Sequence, residues 1–318
     1  MSGSRPAICV FASSLVLTVT VEAAEAEDGD EIHIHPGGQG FWIARMIDRL
    51  GESVALSAPL GGESGKVIAA LVADSGVELV ATDRPEESPV YIHDRRSGKR
   101  VSLAEQLDPG LSRHETDDLY SRTLETAIAA GTVVVTGRYG AGGIPESFYS
   151  RLGADLASLG LKVVGDMHGP ELDAFLKEGQ LDLLKVSADD LIADGAIEGD
   201  GEEELGSAIQ RLVDKGARGV VVSGGSDGSS IAQVDGSWFR VEQTPLEAAD
   251  HRGSGDSMTA GLAIGLHRGL ETAETLQLAA AAGAANVVRR GLGNADADLA
   301  AALAETVTIT ELGSPIGN

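Results

Sequence analysis

Aromatic residues make up only 3% of the 318-residue chain, so any core must be built from Ala, Val, Leu and Ile. There is one cysteine, Cys9. It excludes an internal disulfide and a cysteine-based zinc site, and it fits a reducing compartment. Within AICVFA, Cys9 reads as a small buried hydrophobe in a strand. Basic residues are scarce: six Lys and 18 Arg face 49 Asp and Glu, for a formal net charge of -25. Such a surface repels a phosphate backbone, which excludes general nucleic-acid binding. It says little about small anions, because one pocket can be positive on an acidic protein. No stretch approaches the ~18 apolar residues of a membrane span. The first 27 residues, MSGSRPAICVFASSLVLTVTVEAAEAE, have the outline of a signal peptide. Their β-branched content, the Ser13-Ser14 break and the weak basic start read instead as two strands of a cytoplasmic protein.

What is present is an alternation. FWIARMIDRLG puts Ile43, Met46, Ile47 and Leu50 on one helical face and stops at Gly51. SVALSAPLG is a strand, GKVIAALVADSG a helix ending at Gly76, and VELVATD a strand again. GTVVVTG, LKVVGDMHG, LDLLKVS and ARGVVVSGG are strands, and the runs IPESFYSRLGADLASLG and EEELGSAIQRLVDKG are helices. SSIAQVDGSWFRV reads as a hairpin around Asp235-Gly236, a pair favoured by a type I′ turn. The last third is helical. The pattern predicts an α/β fold, a doubly wound and mainly parallel sheet flanked by helices, in one domain over 1–318. The alternating early strands and the hairpin of PVYIHD and RVSLAE do not fit it. They predict a small β-sheet lid built from about 12–36 and 88–107.

HRGSGDSMTAG, from His251 to Gly261, carries the chemistry. A helix N-terminus offers unpaired N–H groups and partial positive charge. Glycines before it let the loop turn its own amides inward as an anion nest. Gly253, Ser254 and Gly255 meet that need, and such a nest suits a phosphoryl group in transfer. Asp256 at its edge would take the proton of an attacking hydroxyl. The same residues also read as an N-cap aspartate after a tight turn.

The stretch Asp250-His251-Arg252-Gly253-Ser254-Gly255-Asp256-Ser257-Met258 resembles D-T-x-G-A-G-D-x-F, the signature of the ribokinase-like sugar kinases of the phosphofructokinase-B family. HPGGQGFWIARMIDRLG resembles the family's G-G-K-G-x-N segment, LLKVSADDL its K-P-N-x-x-E-L, VVSGGSDG its nucleotide turn, and AAGAANVVRRGLGN its closing helix and loop. The 1-phosphofructokinase and tagatose-6-phosphate kinase branch is the most similar. The resemblance implies an ATP- and Mg²⁺-dependent kinase for a hydroxyl of a sugar or sugar phosphate. Asp256 would be the catalytic base, and Gly253, Ser254, Gly255 and the Asp256 amide the anion hole. Lys185, Ser187, Ser223, Gly225, Gly228, Asn286 and Gly291 would line the nucleotide. The β-sheet would close over the sugar, and the resemblance implies a homodimer through it.

The departures lie on the substrate side. Where the branch has an aspartate in N-P-A-L-D, this chain has Ala12-Ser13-Ser14-Leu15-Val16. The Lys of G-G-K-G is Gln39, the Asn after it is Trp42, and the lid Arg falls near Pro89. Lys and Arg are the residues that hold a phosphate already on a substrate. Gly37, Gly38, Gln39, Trp42, Arg138 and His168 are therefore the expected substrate contacts. Arg138-Tyr139 and His168 stand at strand C-terminal ends, where α/β sheets bind ligands. Arg138 reads either as replacement charge or as a solvated loop arginine. The family's Asn-x-x-Glu becomes Ser187-Ala188-Asp189-Asp190. Asp190 reads as an outer-shell partner of Mg²⁺, which keeps several waters, or as an ordinary acid at a helix start.

Three signals are discounted. GGESGKV departs from the P-loop pattern at Leu60 and Val67, so it reads as a strand-to-helix turn. His33 and His35 lack a third metal ligand. Arg95, Arg96, Lys99 and Arg100 read as a solvated hairpin tip, the alternative being that one of them folds over a substrate anion.

Overall fold

A strand buried on both faces must send successive side chains into two apolar layers. The first strand does so: Ile8 and Val10 enter one layer, Cys9 and Phe11 the other, and all four are fully buried. Burial pushes the Cys9 thiol up to about 12, which keeps it protonated and inert. The computed structural model describes residues 5–24, 29–138, 140, 143–225, 228–243, 253–287 and 296–313.

In chain order the elements begin with β1 (Ile8–Phe11), β2 (Val16–Ala23), β3 (Asp30–Gly37), α1 (Gln39–Arg49), β4 (Val54–Gly61), α2 (Gly62–Ala73) and β5 (Glu78–Arg84). Then come β6 (Val90–Asp94), β7 (Val101–Gln106), α3 (Arg113–Ala130), β8 (Thr132–Thr136), α4 (Glu146–Ser158), β9 (Lys162–Asp166) and α5 (Gly169–Leu176). The rest are β10 (Leu183–Ser187), α6 (Ala188–Ala193), α7 (Glu202–Asp214), β11 (Gly219–Ser223), β12 (Ser230–Val234), β13 (Ser237–Glu242), α8 (Ser254–Arg268), α9 (Thr272–Val287), α10 (Ala297–Ala304) and β14 (Thr308–Leu312).

Ten strands form one sheet in the order β14-β13-β12-β11-β10-β9-β8-β1-β4-β5. The pairings from β11 through to β5 are parallel, while β12, β13 and β14 are added antiparallel at one edge. Helices α1, α2, α8, α9 and α10 cover one face, and α3 to α7 the other. This is the doubly wound arrangement that the alternation of strand and helix predicts. The hairpin between β12 and β13 turns at Asp235 (φ 47) and Gly236 (φ 88), the two positive angles of a type I′ turn.

Two elements depart from the sequence expectation. Helix α1 buries Phe41, Trp42 and Ala44 beyond the predicted face, because the sheet packs on one side of it and β3 on another: His35 lies 5.6 Å from the Trp42 ring. Helix α3 was not legible as periodic; it buries only Leu119, Tyr120, Thr123 and Ala127, and its start is fixed by a capping box of Ser112 and Glu115.

A second sheet, in the order β3-β2-β6-β7, stands beside the main one. It joins two distant segments through the parallel pairing of β2 with β6, Leu17 opposite Val90 to Val21 opposite Asp94. At the feet of the β6–β7 insertion, Arg84 and Asp108 form a buried ion pair of 2.7 Å. No helix among the described residues is long and apolar enough to cross a membrane.

Candidate active site

Parallel strands point their C-terminal ends the same way, and loops leaving that edge form a crevice. Here it is a cavity of about 480 Å³. Its walls come from the ends of β8, β9 and β10, the start of α1 and the start of α8. Helix α8 begins at Gly253, whose φ of 70 and ψ of 2 are left-handed and open to glycine without cost. The cap is therefore Gly253, which overturns the reading of Asp256 as an N-cap; Asp256 sits inside the first turn. The amides of Ser254, Gly255 and Asp256 have no acceptor within the helix. Gly253, Gly255 and Asp256 border the cavity, whereas the Ser254 hydroxyl is turned toward Gly283 of α9. A side chain at Gly255 would meet the Lys185 ammonium, so glycine there lets Lys185 approach the start of α8.

Around Asp256 the cavity floor is crowded with charge. Asp166 ends β9 and Lys185 lies beside it on β10, its Nζ 3.9 Å from Asp166 Oδ1, and both are buried. Thr259, one turn along α8 from Asp256, donates to Asp166 Oδ2 at 2.5 Å. Burial, first, and then the neighbouring Asp166 and Asp190 carboxylates push Asp256 up to about 7, with Lys185 pulling the other way. Burial also raises Asp166, opposed by Lys185 and the Thr259 hydroxyl. A carboxylate that titrates near neutrality at the mouth of a helix is suited to proton transfer.

Asp190 Oδ2 accepts from the Ser187 amide at 3.0 Å and from its hydroxyl at 2.6 Å, a capping box that starts α6. Ser187 and Asp190 both border the cavity. Among the described residues no group of three His, Cys, Asp or Glu is close enough to hold a metal directly. The carboxylates of Asp166, Asp190 and Asp256 outnumber Lys185, an excess that suits a hydrated divalent cation.

At the other end stand Gln39, the first residue of α1, and Arg138, just past β8. Arg138 Nη2 lies 2.7 Å from Glu171 Oε1, in the first turn of α5, so it is neither free nor merely solvated. His168 Nδ1 lies 3.0 Å from Asp194, and its Nε2 is 3.9 Å from Asp190 Oδ1. Trp42 is buried against Phe41 and His35 and does not border the cavity, nor do Gly37 and Gly38, which end β3 and cap α1.

Of the expected nucleotide residues, Lys185 and Ser187 border the cavity, and Ser223, Gly225 and Gly228 lie one strand further out. Ser223 is the register neighbour of Ser187, and Gly225 and Gly228 close a turn in which the Gly228 amide donates to the Gly225 carbonyl at 2.7 Å. Asn286 is buried on α9. Gly291, Ser226, Asp227, Tyr139 and the segment Asp250, His251 and Arg252 lie outside the described residues.

The structure also accounts for the discounted signals. The N-terminus of α2, where a P-loop would hold phosphate, is filled by Glu87, which accepts from the Glu63 and Ser64 amides at 3.0 Å each. His33 lies 3.4 Å from Glu31, and burial with nearby Arg45 lowers His35 to about 4. Arg96 binds Asp94 and Asp30, and Arg100 lies over the Tyr91 ring at 4.5 Å. Sequence reading missed Asp166, Glu171 and Thr259. For Asp166 the signal was present: a lone carboxylate closing the buried run of LKVVGD.

A family model described as pfkB family carbohydrate kinase matches residues 7–298. An ATP-dependent 6-phosphofructokinase isozyme 2 of Mycobacterium tuberculosis (strain ATCC 25618 / H37Rv) is 29% identical over 259 residues, 80% of this chain and 75% of that protein. A 1-phosphofructokinase of Rhodobacter capsulatus is 29% identical over 309 residues, 94% of this chain and 96% of that one. In fold the chain is similar to the tetrameric inhibited form of phosphofructokinase-2 from Escherichia coli, with a TM-score of 0.79, 22% identity and coverage of 94% and 98%.

Proposed function

The chain belongs to the pfkB family of carbohydrate kinases and is an ATP-dependent sugar kinase; from that premise we propose that Asp256 is its general base and the start of α8 its anion hole. The carrying observation is that Asp256 and the first turn of α8, whose amides lack acceptors within the helix, border one cavity. The acceptor hydroxyl gives its proton to Asp256 as its oxygen attacks the γ-phosphorus of ATP. The new O–P bond forms while the bond to the ADP oxygen breaks, and ADP leaves with that electron pair. Through the transfer, the Ser254, Gly255 and Asp256 amides face the phosphoryl oxygens, where fixed dipoles act without reorganising. Lys185 holds positive charge beside the same point. Mg²⁺, when bound with ATP, neutralises phosphate charge; Asp166 and Asp190 would hold its hydration shell.

The nucleotide lies on the β10–β11 side in this reading, along Lys185, Ser187, Ser223, Gly225, Gly228 and Asn286. The sugar or sugar phosphate takes the side of Gln39, Arg138 and His168, beneath the small sheet acting as a lid that excludes water. The relatives' names, 6-phosphofructokinase and 1-phosphofructokinase, support a hexose or hexose phosphate as acceptor. The buried, protonated Cys9 fits a cytoplasmic setting.

Measuring ADP release over sugars, sugar phosphates and nucleosides tests the activity. We expect ADP to appear with at least one hydroxyl acceptor at a rate well above the ATPase background. Binding of nucleotide and sugar without turnover would instead mark a catalytically impaired binding protein, which the loss of substrate-side cations also suits.

The lid's outer face supports a homodimer. Ile34, Val19 and Ile92 are cross-strand neighbours, and Ile32 and Ile34 are 64% and 52% exposed. A contiguous apolar face of this kind is an association surface, and the structural neighbour described as a tetrameric form supports that reading. Light scattering should give twice the 32.6 kDa chain mass, and Ile34→Glu should shift it to the single-chain value. A monomeric wild-type protein would refute the dimer.

A further inference from the structure

The two ends of the cavity differ in charge. The end made by β9, β10 and α8 carries Asp166, Lys185, Asp190 and Asp256. At the end made by β8, α5 and the start of α1, His168 caps α5 and already faces Asp190 and Asp194, and the remaining charged side chains among the described residues are Arg138 and Glu171. They neutralise each other at 2.7 Å. The Glu171 side chain is 9% exposed and that of Arg138 28%, so the carboxylate sits behind and the guanidinium in front. Glu171 is fixed in the first turn of α5, where the helix N-terminus favours a negative charge. Both described cations of the cavity, Arg138 and Lys185, thus face carboxylates of the protein before any ligand arrives.

We infer that Arg138 and Glu171 form a specificity pair that selects an acceptor whose far end is an uncharged polyol rather than a phosphate ester. The inference rests on the sugar-kinase reading above and deepens it by naming the acceptor class. A phosphate dianion needs a guanidinium with charge to spare. Here it would have to draw Arg138 away from Glu171 and leave that buried carboxylate uncompensated. It would also come up against Glu171 itself, the carboxylate beside Arg138 at this end of the cavity. A neutral polyol avoids both costs. Its hydroxyls accept from the exposed N–H groups of Arg138 and from the amide of Gln39, and they donate to Glu171, leaving the ion pair intact. Glu171 is the discriminating member, because it rejects the charged competitor instead of only attracting the correct one.

The test is a matched comparison of fructose with fructose 6-phosphate and of ribose with ribose 5-phosphate. Each is measured by calorimetric binding in the presence of a non-hydrolysable ATP analogue, and by kcat/KM. Wild type should favour each unphosphorylated sugar over its ester. Glu171→Gln, which frees the Arg138 charge and keeps the side-chain shape, should move that ratio toward the ester by about 10- to 100-fold, the worth of one hydrogen bond to a charged group. Tighter wild-type binding of the esters, or an unchanged ratio in Glu171→Gln, overturns the inference. Should the variant fail to fold, the wild-type comparison decides alone. Failure of every acceptor to be phosphorylated would sink the kinase reading, while the binding ratios would still judge the pair.

Discussion

Asp256→Asn lowers kcat by about 10²- to 10⁴-fold, the usual worth of a positioned general base. Affinity for ATP changes little, because the amides of the α8 N-terminus and the β10–β11 side are untouched. The substitution keeps the shape of the side chain and removes only its capacity to take a proton. A second readout separates this role from a structural one. In the wild type Asp256 is raised to about 7 by burial and by Asp166 and Asp190. The base must be ionised to act, so kcat/KM should rise with pH through about 7 and level off above it; in the variant that limb disappears. Stability moves in the opposite direction. The folded-state pKa lies above the ordinary 3.8 of the unfolded chain, so the folded protein retains a proton that the unfolded chain gives up. Wild-type stability is therefore lost as pH rises from about 4 to about 7. Above that range Asp256→Asn should be the more stable protein, by on the order of 1 kcal/mol or about 2 °C in Tm; below pH 4 the difference vanishes. Retained turnover in the variant would refute the assignment, whatever its melting curve.

Lys185→Met removes the cation that faces both carboxylates. Its Nζ is 3.9 Å from Asp166 Oδ1, and it pulls down the pKa of both Asp166 and Asp256. Two consequences follow together. The activity limb moves to higher pH, since Asp256 then ionises less readily. The fold loses about 3 kcal/mol at pH 8, the lower end of what breaking a buried pair costs, and less at acid pH, where the carboxylates take up protons. Thermal melts at pH 5 and pH 8 measure this difference directly. Equal destabilisation at both pH values would mean that Lys185 acts by packing and not by charge.

The sheet was readable because its strands are apolar runs with no competing pattern. GTVVVTG and ARGVVVSGG became β8 and β11, each buried along nearly its whole length. The start of α8 was readable because glycine, serine and aspartate there serve backbone geometry that local sequence dictates. Helix α3 was not, because its buried stripe is short and includes Thr123, although the Ser112–Glu115 capping pair stood in plain view. The harder losses were in the site. Glu171 and Asp166 act through partners 33 and 19 positions away, Arg138 and Lys185; strand register joins Asp166 to Lys185, and the loop after β8 meeting the first turn of α5 joins Arg138 to Glu171. Trp42 was expected at the cleft from the family resemblance, where it takes the place of an Asn; packing by His35 and Phe41 puts it in the interior.

The ion pair of Arg84 and Asp108 joins the two points where the inserted β6–β7 hairpin leaves and re-enters the main body. Arg84 also donates to the Glu87 carbonyl at 3.3 Å, and Glu87 itself grips the start of α2. A paddle bolted at both ankles cannot fray open strand by strand. Breaking the pair should therefore loosen β6 and β7 together, and with them β2, which pairs with β6.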